Sequence, residues 1–285
     1  MNLYQQNIFT RITSNRPNLT AAENEIANYI LEYPKDASES TITSLSKKIG
    51  VSEASINRFC KKIGFNGFND FKIAVAQDSY YRKMQDKKRA ASSINFSETL
   101  SFDYTELINI TSENVEENLL KELANEMTTA TNIYLIAFSE AHTVAIHMHY
   151  QLLMLSIPSM VINDMSLLKL IVNKSNKNDL FFIIAETGNT KELNKLIEQA
   201  KQNEPKIYIL TSYENTNLTK LATDSIIIPN RLSINQSSLI SSYISYIFVA
   251  DLIIGTIIKS DVKYVREKLE NEGIITRSDY YPYEY

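Results

Sequence analysis

Six polar side chains within eleven residues, Ser52, Ser55, Asn57, Arg58, Lys61 and Lys62, are of the types that read a nucleic-acid duplex. Arg can bridge guanine O6 and N7, Asn can bridge adenine N6 and N7, and Ser accepts several partners. The lysines suit phosphate oxygens, which position a protein on the duplex without reading its sequence. Their neighbours make the set usable. Ile56, Phe59, Cys60 and Ile63 recur at i, i+3, i+4 and i+7, one apolar helix face that leaves the polar residues outward or lateral. Between Thr41 and Phe65 there are five basic residues and one acid, Glu53, a local excess suited to counterion release on double-stranded DNA.

A second set lies in two loops, Phe138-Ser139-Glu140-Ala141-His142 and Ala185-Glu186-Thr187-Gly188-Asn189-Thr190. In the second loop two hydroxyls and a glycine precede a helix start. Gly188 would let the backbone approach a ligand, and Thr187 and Thr190 offer hydroxyls beside N–H groups that favour an anion. Ser139, Glu140, Glu186 and Asn189 complete the candidate ligand-binding residues. Spacing alone leaves open a plain loop with Thr190 as a helix cap. Glu140 and Glu186 would repel an anion unless they point away.

The three histidines, at 142, 147 and 149, fall in one predicted helix. His142 and His149 share a face but stand about 10 Å apart by helix rise, too far for one metal, and the i, i+4 pair of zinc helices is missing. No metal, cofactor or catalytic group is expected.

The elements that must position these residues are legible from periodicity. Thr20 and Glu23 form a capping box at the start of a helix whose apolar face is Ala22, Ile26, Tyr29, Ile30 and Tyr33, and Pro34 ends it. A short helix is expected over Asp36 to Ser40. Thr43 to Gly64 then reads as helix, tight turn, helix: Leu45 and Ile49 face inward, Gly50 supplies the left-handed turn, Val51 fills the angle and Ser52 caps the second helix. Past Thr105, five apolar runs (132–138, 158–162, 179–185, 206–211 and 224–228) alternate with amphipathic stretches, the pattern of a parallel sheet covered by helices on both faces. The fold class is α/β overall: an all-α helix-turn-helix bundle followed by a doubly wound domain with a five-stranded parallel sheet. In such sheets ligands bind beyond the carboxyl ends of the strands, where both loops would lie. We expect a DNA-binding head over 1–82, a linker over 83–104, a ligand-sensing and oligomerisation domain over 105–265, and a Tyr-rich tail over 266–285.

Charge follows that division. Residues 1–90 carry 14 Lys and Arg against 9 Asp and Glu, and the remaining 195 carry 15 against 24, so a basic head stands on an acidic body. The single cysteine, Cys60, can form no internal disulfide, and no basic stretch leads into an apolar run at the N-terminus, which points to a cytoplasmic protein. Leu239 to Ile258 has the length of a membrane span, but it carries Asp251, which would cost roughly 2.5–3.5 kcal/mol at a bilayer centre. A helix packed on the sheet or on another subunit is expected there.

The combination Leu19-Thr20-x-x-Glu23, Val51-Ser52-x-Ala54-Ser55-Ile56-x-Arg58-Phe59 and Ile63-Gly64-Phe65-x-Gly67-Phe68-x-x-Phe71-Lys72 resembles the helix-turn-helix domain of the RpiR family of bacterial regulators. The resemblance implies that Ser52 to Lys62 is the recognition helix and that Gly67 opens a further helix. The second part is similar to the sugar isomerase (SIS) domain, in which Ser-x-Ser-Gly-x-Thr holds a phosphosugar. Here that slot reads Ala185 to Thr190, with Gly188 and Thr190 matching and Thr187 replacing a serine, and the first loop has no glycine. Isomerases of that fold carry a glutamate base near the start of the helix after the last strand. Residues 229–258 hold one acid, Asp251, so a regulator without enzymatic activity is expected rather than an isomerase with an accessory helical domain or a ligand-independent DNA-binding scaffold. The implied partners are an operator duplex, a phosphosugar effector and a second copy of the chain, as a homodimer or homotetramer.

Overall fold

The computed structural model describes residues 7–92, 95–187, 190–234 and 239–279. The chain forms two compact units. One comprises residues 1–114 together with 213–215 and 229–242, and the other comprises 115–212, 216–228 and 243–285.

The first unit is helical: α1 (Ile8–Asn15), α2 (Ala21–Glu32), α3 (Pro34–Glu39), α4 (Ile42–Ile49), α5 (Glu53–Lys62), α6 (Phe68–Ser92) and α7 (Phe96–Asn114). Both bonds of the capping box form: Thr20 N–H donates to Glu23 Oε2 at 2.8 Å, and Glu23 N–H to Thr20 Oγ1 at 3.4 Å. Pro34 is the first residue of α3, so the short helix begins two residues before the expected Asp36. Proline's fixed φ suits a helix start, where its missing N–H is not needed. Gly50 closes α4 at φ +80°, and Ser52 Oγ accepts Ser55 N–H at 3.1 Å to open α5. Ile26, Ile30, Leu45, Ile56, Phe59, Phe71 and Val75 form a continuous buried core.

Helix α1 was not foreseen. Its short run has only Ile8, Phe9 and Ile12 as large apolar residues, separated by threonines and an arginine, too brief for a periodicity argument. Those three side chains are nonetheless fully buried in the core of the helical unit. The α6 backbone continues to Ser92, and α7 begins at Phe96, within the segment expected to be a linker.

The second unit runs α8 (Glu117–Thr129), β1 (Asn132–Ala137), α9 (Ala141–Met154), β2 (Met160–Ile162), α10 (Met165–Lys174), β3 (Asp179–Ile184), α11 (Lys191–Ala200), β4 (Lys206–Thr211), α12 (Asn217–Leu221), β5 (Asp224–Ile227), α13 (Tyr243–Ser260) and α14 (Val262–Asp279). The five strands are parallel in the order β2-β1-β3-β4-β5. Alternate residues pack to opposite faces. Leu135, Phe182, Tyr208 and Leu210 meet α8, α9 and α13, while Ile136, Phe181, Ile183 and Ile209 meet the side chains of α10, α11 and α12.

The apolar run at 239–258 becomes α13, whose Tyr246, Val249, Ala250, Ile253, Ile254 and Ile257 lie in the core over the sheet. It is long and apolar enough to cross a membrane. Its apolar stripe is used instead to cover one face of the strands. Residues 280–285 of the Tyr-rich tail lie outside the described residues.

Candidate nucleic-acid interface and ligand crevice

On α5 the stripe Ile56, Phe59, Cys60 and Ile63 is buried, and Asn57, Arg58, Lys61 and Lys62 are on the exposed side. Burial pushes the Cys60 thiol up to about 12, so this cysteine is a core residue, with no thiolate to offer. Ser52 and Ser55 sit 2.8 Å apart through their hydroxyls at the amino end, and Arg58 Nη2 donates to Ser55 Oγ at 3.2 Å. That exposed bond is easily exchanged for a base edge.

Two of the six candidates have partners outside α5 and its cap. Asn57 Oδ1 accepts Phe68 N–H at 3.3 Å, capping α6, which leaves one lone pair and the amide N–H groups to offer a base. Lys62 Nζ pairs with Glu23 Oε2 at 2.7 Å. Neither partner is visible from the spacing within α5, because they lie 11 and 39 residues away.

The Lys62–Glu23 pair has a pH signature. Burial raises the Glu23 carboxyl, but the hydrogen bond from Lys62, those from Thr20 and the lysine charge together hold it below its ordinary value of 4.5. A depressed carboxyl stabilises the fold above its unfolded value and loses that contribution as pH falls through the folded one. Lys62→Met is therefore expected to destabilise the chain above pH 4.5, with the difference from wild type closing at lower pH, as read by urea unfolding across pH 3–7. A constant gap over that range would show that the pair is not linked to folding.

In the second unit β1 and β3 are neighbours, with Ala137 opposite Ile184, so the loops that follow them start side by side. Their helices leave toward opposite faces of the sheet, α9 to one and α11 to the other, the divergence beside which sheets of this class bind ligands at the strands' carboxyl ends. Ser139 and Glu140 stand on one lip and Glu186, Thr187 and Thr190 on the other; Gly188 and Asn189 lie outside the described residues. Ser139 takes φ +54°, a left-handed backbone that glycine adopts freely and serine only with strain. Thr190 Oγ1 accepts Leu193 N–H at 3.2 Å and caps α11. The Glu186 carbonyl is held by Thr211 Oγ1 at 3.0 Å.

The sequence did not single out Tyr243, at the start of α13. Burial, followed by the charges of Glu186 and Glu140, pushes its phenol up to about 12. Its ring lies 5.2 Å from that of Tyr246, whose hydroxyl is 2.9 Å from Ser212 Oγ. The histidines take other partners: His147 Nε2 lies 2.7 Å from Asp251 Oδ1, and His149 Nδ1 lies 2.8 Å from Ser159 Oγ. Among the described residues no group of three His, Cys, Asp or Glu could hold a metal.

Residues 6–81 match the helix-turn-helix domain of the rpiR family, and residues 126–254 match the SIS domain. An uncharacterised HTH-type transcriptional regulator of Clostridium perfringens is 28% identical over 260 residues, 87% of this chain and 91% of the relative. The HTH-type transcriptional regulator HexR of Escherichia coli is 27% identical over 221 residues, 76% of either chain. The Vibrio vulnificus NanR protein, solved in complex with ManNAc-6P, shares the fold with a TM-score of 0.60 at 20% identity, over 95% of this chain and 98% of that one.

Proposed function

We propose that this chain, which carries a helix-turn-helix domain of the rpiR family and a SIS domain, is a transcriptional regulator whose head binds an operator duplex under the control of a phosphorylated sugar held at the SIS strand ends. One observation carries the effector half: the loops that bear Ser139, Glu140, Glu186, Thr187 and Thr190 follow two adjacent parallel strands and start side by side where their helices diverge. The phosphate would seat at the start of α11, where Thr190, already accepting from Leu193, keeps its own proton to donate. Glu140 and Glu186 would accept sugar hydroxyls if their carboxylates lie away from the phosphate. A relative of the same fold complexed with ManNAc-6P supports a sugar phosphate as the class of ligand.

We read the chain as a regulator that does not turn its ligand over. Asp251, the one acid of 229–258, lies eight residues past Tyr243, about 12 Å along α13, and is paired with His147. Operator half-sites favour a homodimer or homotetramer in the cytoplasm. Ile146, Tyr150 and Leu153 expose an apolar row on α9 that suits such an association. Control requires that the effector bind the DNA-competent and DNA-incompetent states with different affinity.

The test is thermal unfolding with a panel of hexose and amino-sugar 6-phosphates, inorganic phosphate and buffer. A cognate ligand at about 100 times its Kd should stabilise the chain by about 2.7 kcal/mol. Thr190→Ala should abolish most of that ligand-dependent gain. If no sugar phosphate stabilises the wild-type chain, the effector reading fails; if a sugar phosphate is consumed, the isomerase reading replaces it.

A further inference from the structure

Arg11 is 4% exposed, although a guanidinium cannot shed its charge in a protein and is costly to bury unless its donors and charge are satisfied. Its position in α1 accounts for that burial. Nη2 donates to the backbone carbonyl of Ile63 at 2.5 Å, and the guanidinium carbon lies 4.0 Å from the centroid of the Phe65 ring. Ile63 is the residue that closes α5. A helix ends with carbonyls that have no partner inside the helix and with the negative end of its dipole, so a buried cation there satisfies an acceptor and a charge at once. Gly64, at φ +89°, turns the chain so that Phe65 N–H returns to the Cys60 carbonyl at 2.9 Å and the Phe65 ring comes under the guanidinium.

We propose that Arg11 is a positioning residue for DNA recognition: it holds the carboxyl end of α5 so that Arg58 and Lys61 meet the duplex in one fixed orientation. This rests on the DNA-binding reading above. Besides its buried stripe and the Lys62–Glu23 pair, α5 is held at other points by neutral hydrogen bonds. Ser52 caps its amino end, and the Asn57 side chain meets the start of α6 through one neutral bond of 3.3 Å. Arg58 lies five residues before Ile63, about 7.5 Å along the axis, so a small tilt at the carboxyl end moves its guanidinium relative to a base edge. Base-edge hydrogen bonds tolerate only a few tenths of an ångström of such movement, whereas phosphate contacts made by flexible lysines tolerate more. The signature of this role is lost discrimination between sequences, with general affinity for DNA retained.

The experiment uses the full chain. A duplex is selected by the wild-type protein from a random pool, and its affinity is compared with that of a random duplex for wild type, Arg11→Lys and Arg11→Met. We expect Arg11→Met to lower the ratio of selected to random affinity about tenfold, the size of one lost direct base contact, with random-duplex affinity within about twofold of wild type. Arg11→Lys, which keeps the charge and can still reach a carbonyl, should recover part of the ratio. Far-UV circular dichroism checks that each variant is folded at the temperature used. If Arg11→Met does not fold, Arg11→Lys and Phe65→Leu, which removes the ring beneath the guanidinium, carry the comparison, each with a lowered ratio expected. Folded variants with the wild-type ratio overturn the proposal, as does an equal loss on both duplexes. A wild-type chain that selects no duplex overturns the DNA-binding reading itself.

Discussion

Phe59→Ala is expected to cost the helical unit about 3–5 kcal/mol and to remove DNA binding with it. The ring is fully buried, lies edge-on to Phe71 at 6.0 Å and shares its core with Ile26, Ile30, Leu45 and Ile56. Truncation would leave a cavity where α2, α4 and α5 converge, and so small a helical core has few other contacts to offset it. The SIS unit packs around its own two clusters of core residues and should be untouched. Hydrogen exchange read peptide by peptide would check this: faster exchange in α2, α4, α5 and the start of α6, with β1, β3 and β4 unchanged. Unaltered exchange in α5 would mean that this face is not what holds the helix.

Arg58→Ala, one residue away on the exposed side, should do the reverse. Its side chain is exposed and its bond to Ser55 is a surface one, so stability should stay within about 0.5 kcal/mol of wild type. Affinity for a selected duplex should fall by about 1–3 kcal/mol, while affinity for random DNA changes little. Competitive titration against both duplexes measures this directly. Equal affinity for the selected duplex in variant and wild type removes Arg58 from the reading surface. Together the two substitutions separate the core that builds the helix from the edge that reads DNA.

Both faces of α5 were legible because helical periodicity writes them into a span of eleven residues. The same holds for the capping box at Thr20 and Glu23, the left-handed turn at Gly50 and the five apolar runs that became strands. The two loops of the crevice were placed correctly at strand ends, since alternation of strands and helices determines which end a loop occupies. What stayed hidden had its cause at a distance. Nothing within α5 announces the Lys62 pairing with Glu23, and the Asn57 bond to Phe68 depends on where α6 begins. Tyr243 carried no signal at all: the charges of Glu186 and Glu140 bear on it only because α13 packs back over the sheet.

Sequence alone therefore determined most of the elements, their faces, the parallel α/β class and the two domain types, since each is set by residues within one or two turns of each other or by the order of such segments. Tertiary structure decided which polar groups are already engaged. Arg11 with Ile63, Lys62 with Glu23 and Asn57 with Phe68 join residues 52, 39 and 11 positions apart. The physical reason is one of range. Caps, turns and amphipathic stripes are local energies that a short segment expresses wherever it is placed. A buried charge, by contrast, is tolerated only where distant segments pack so as to supply its partner.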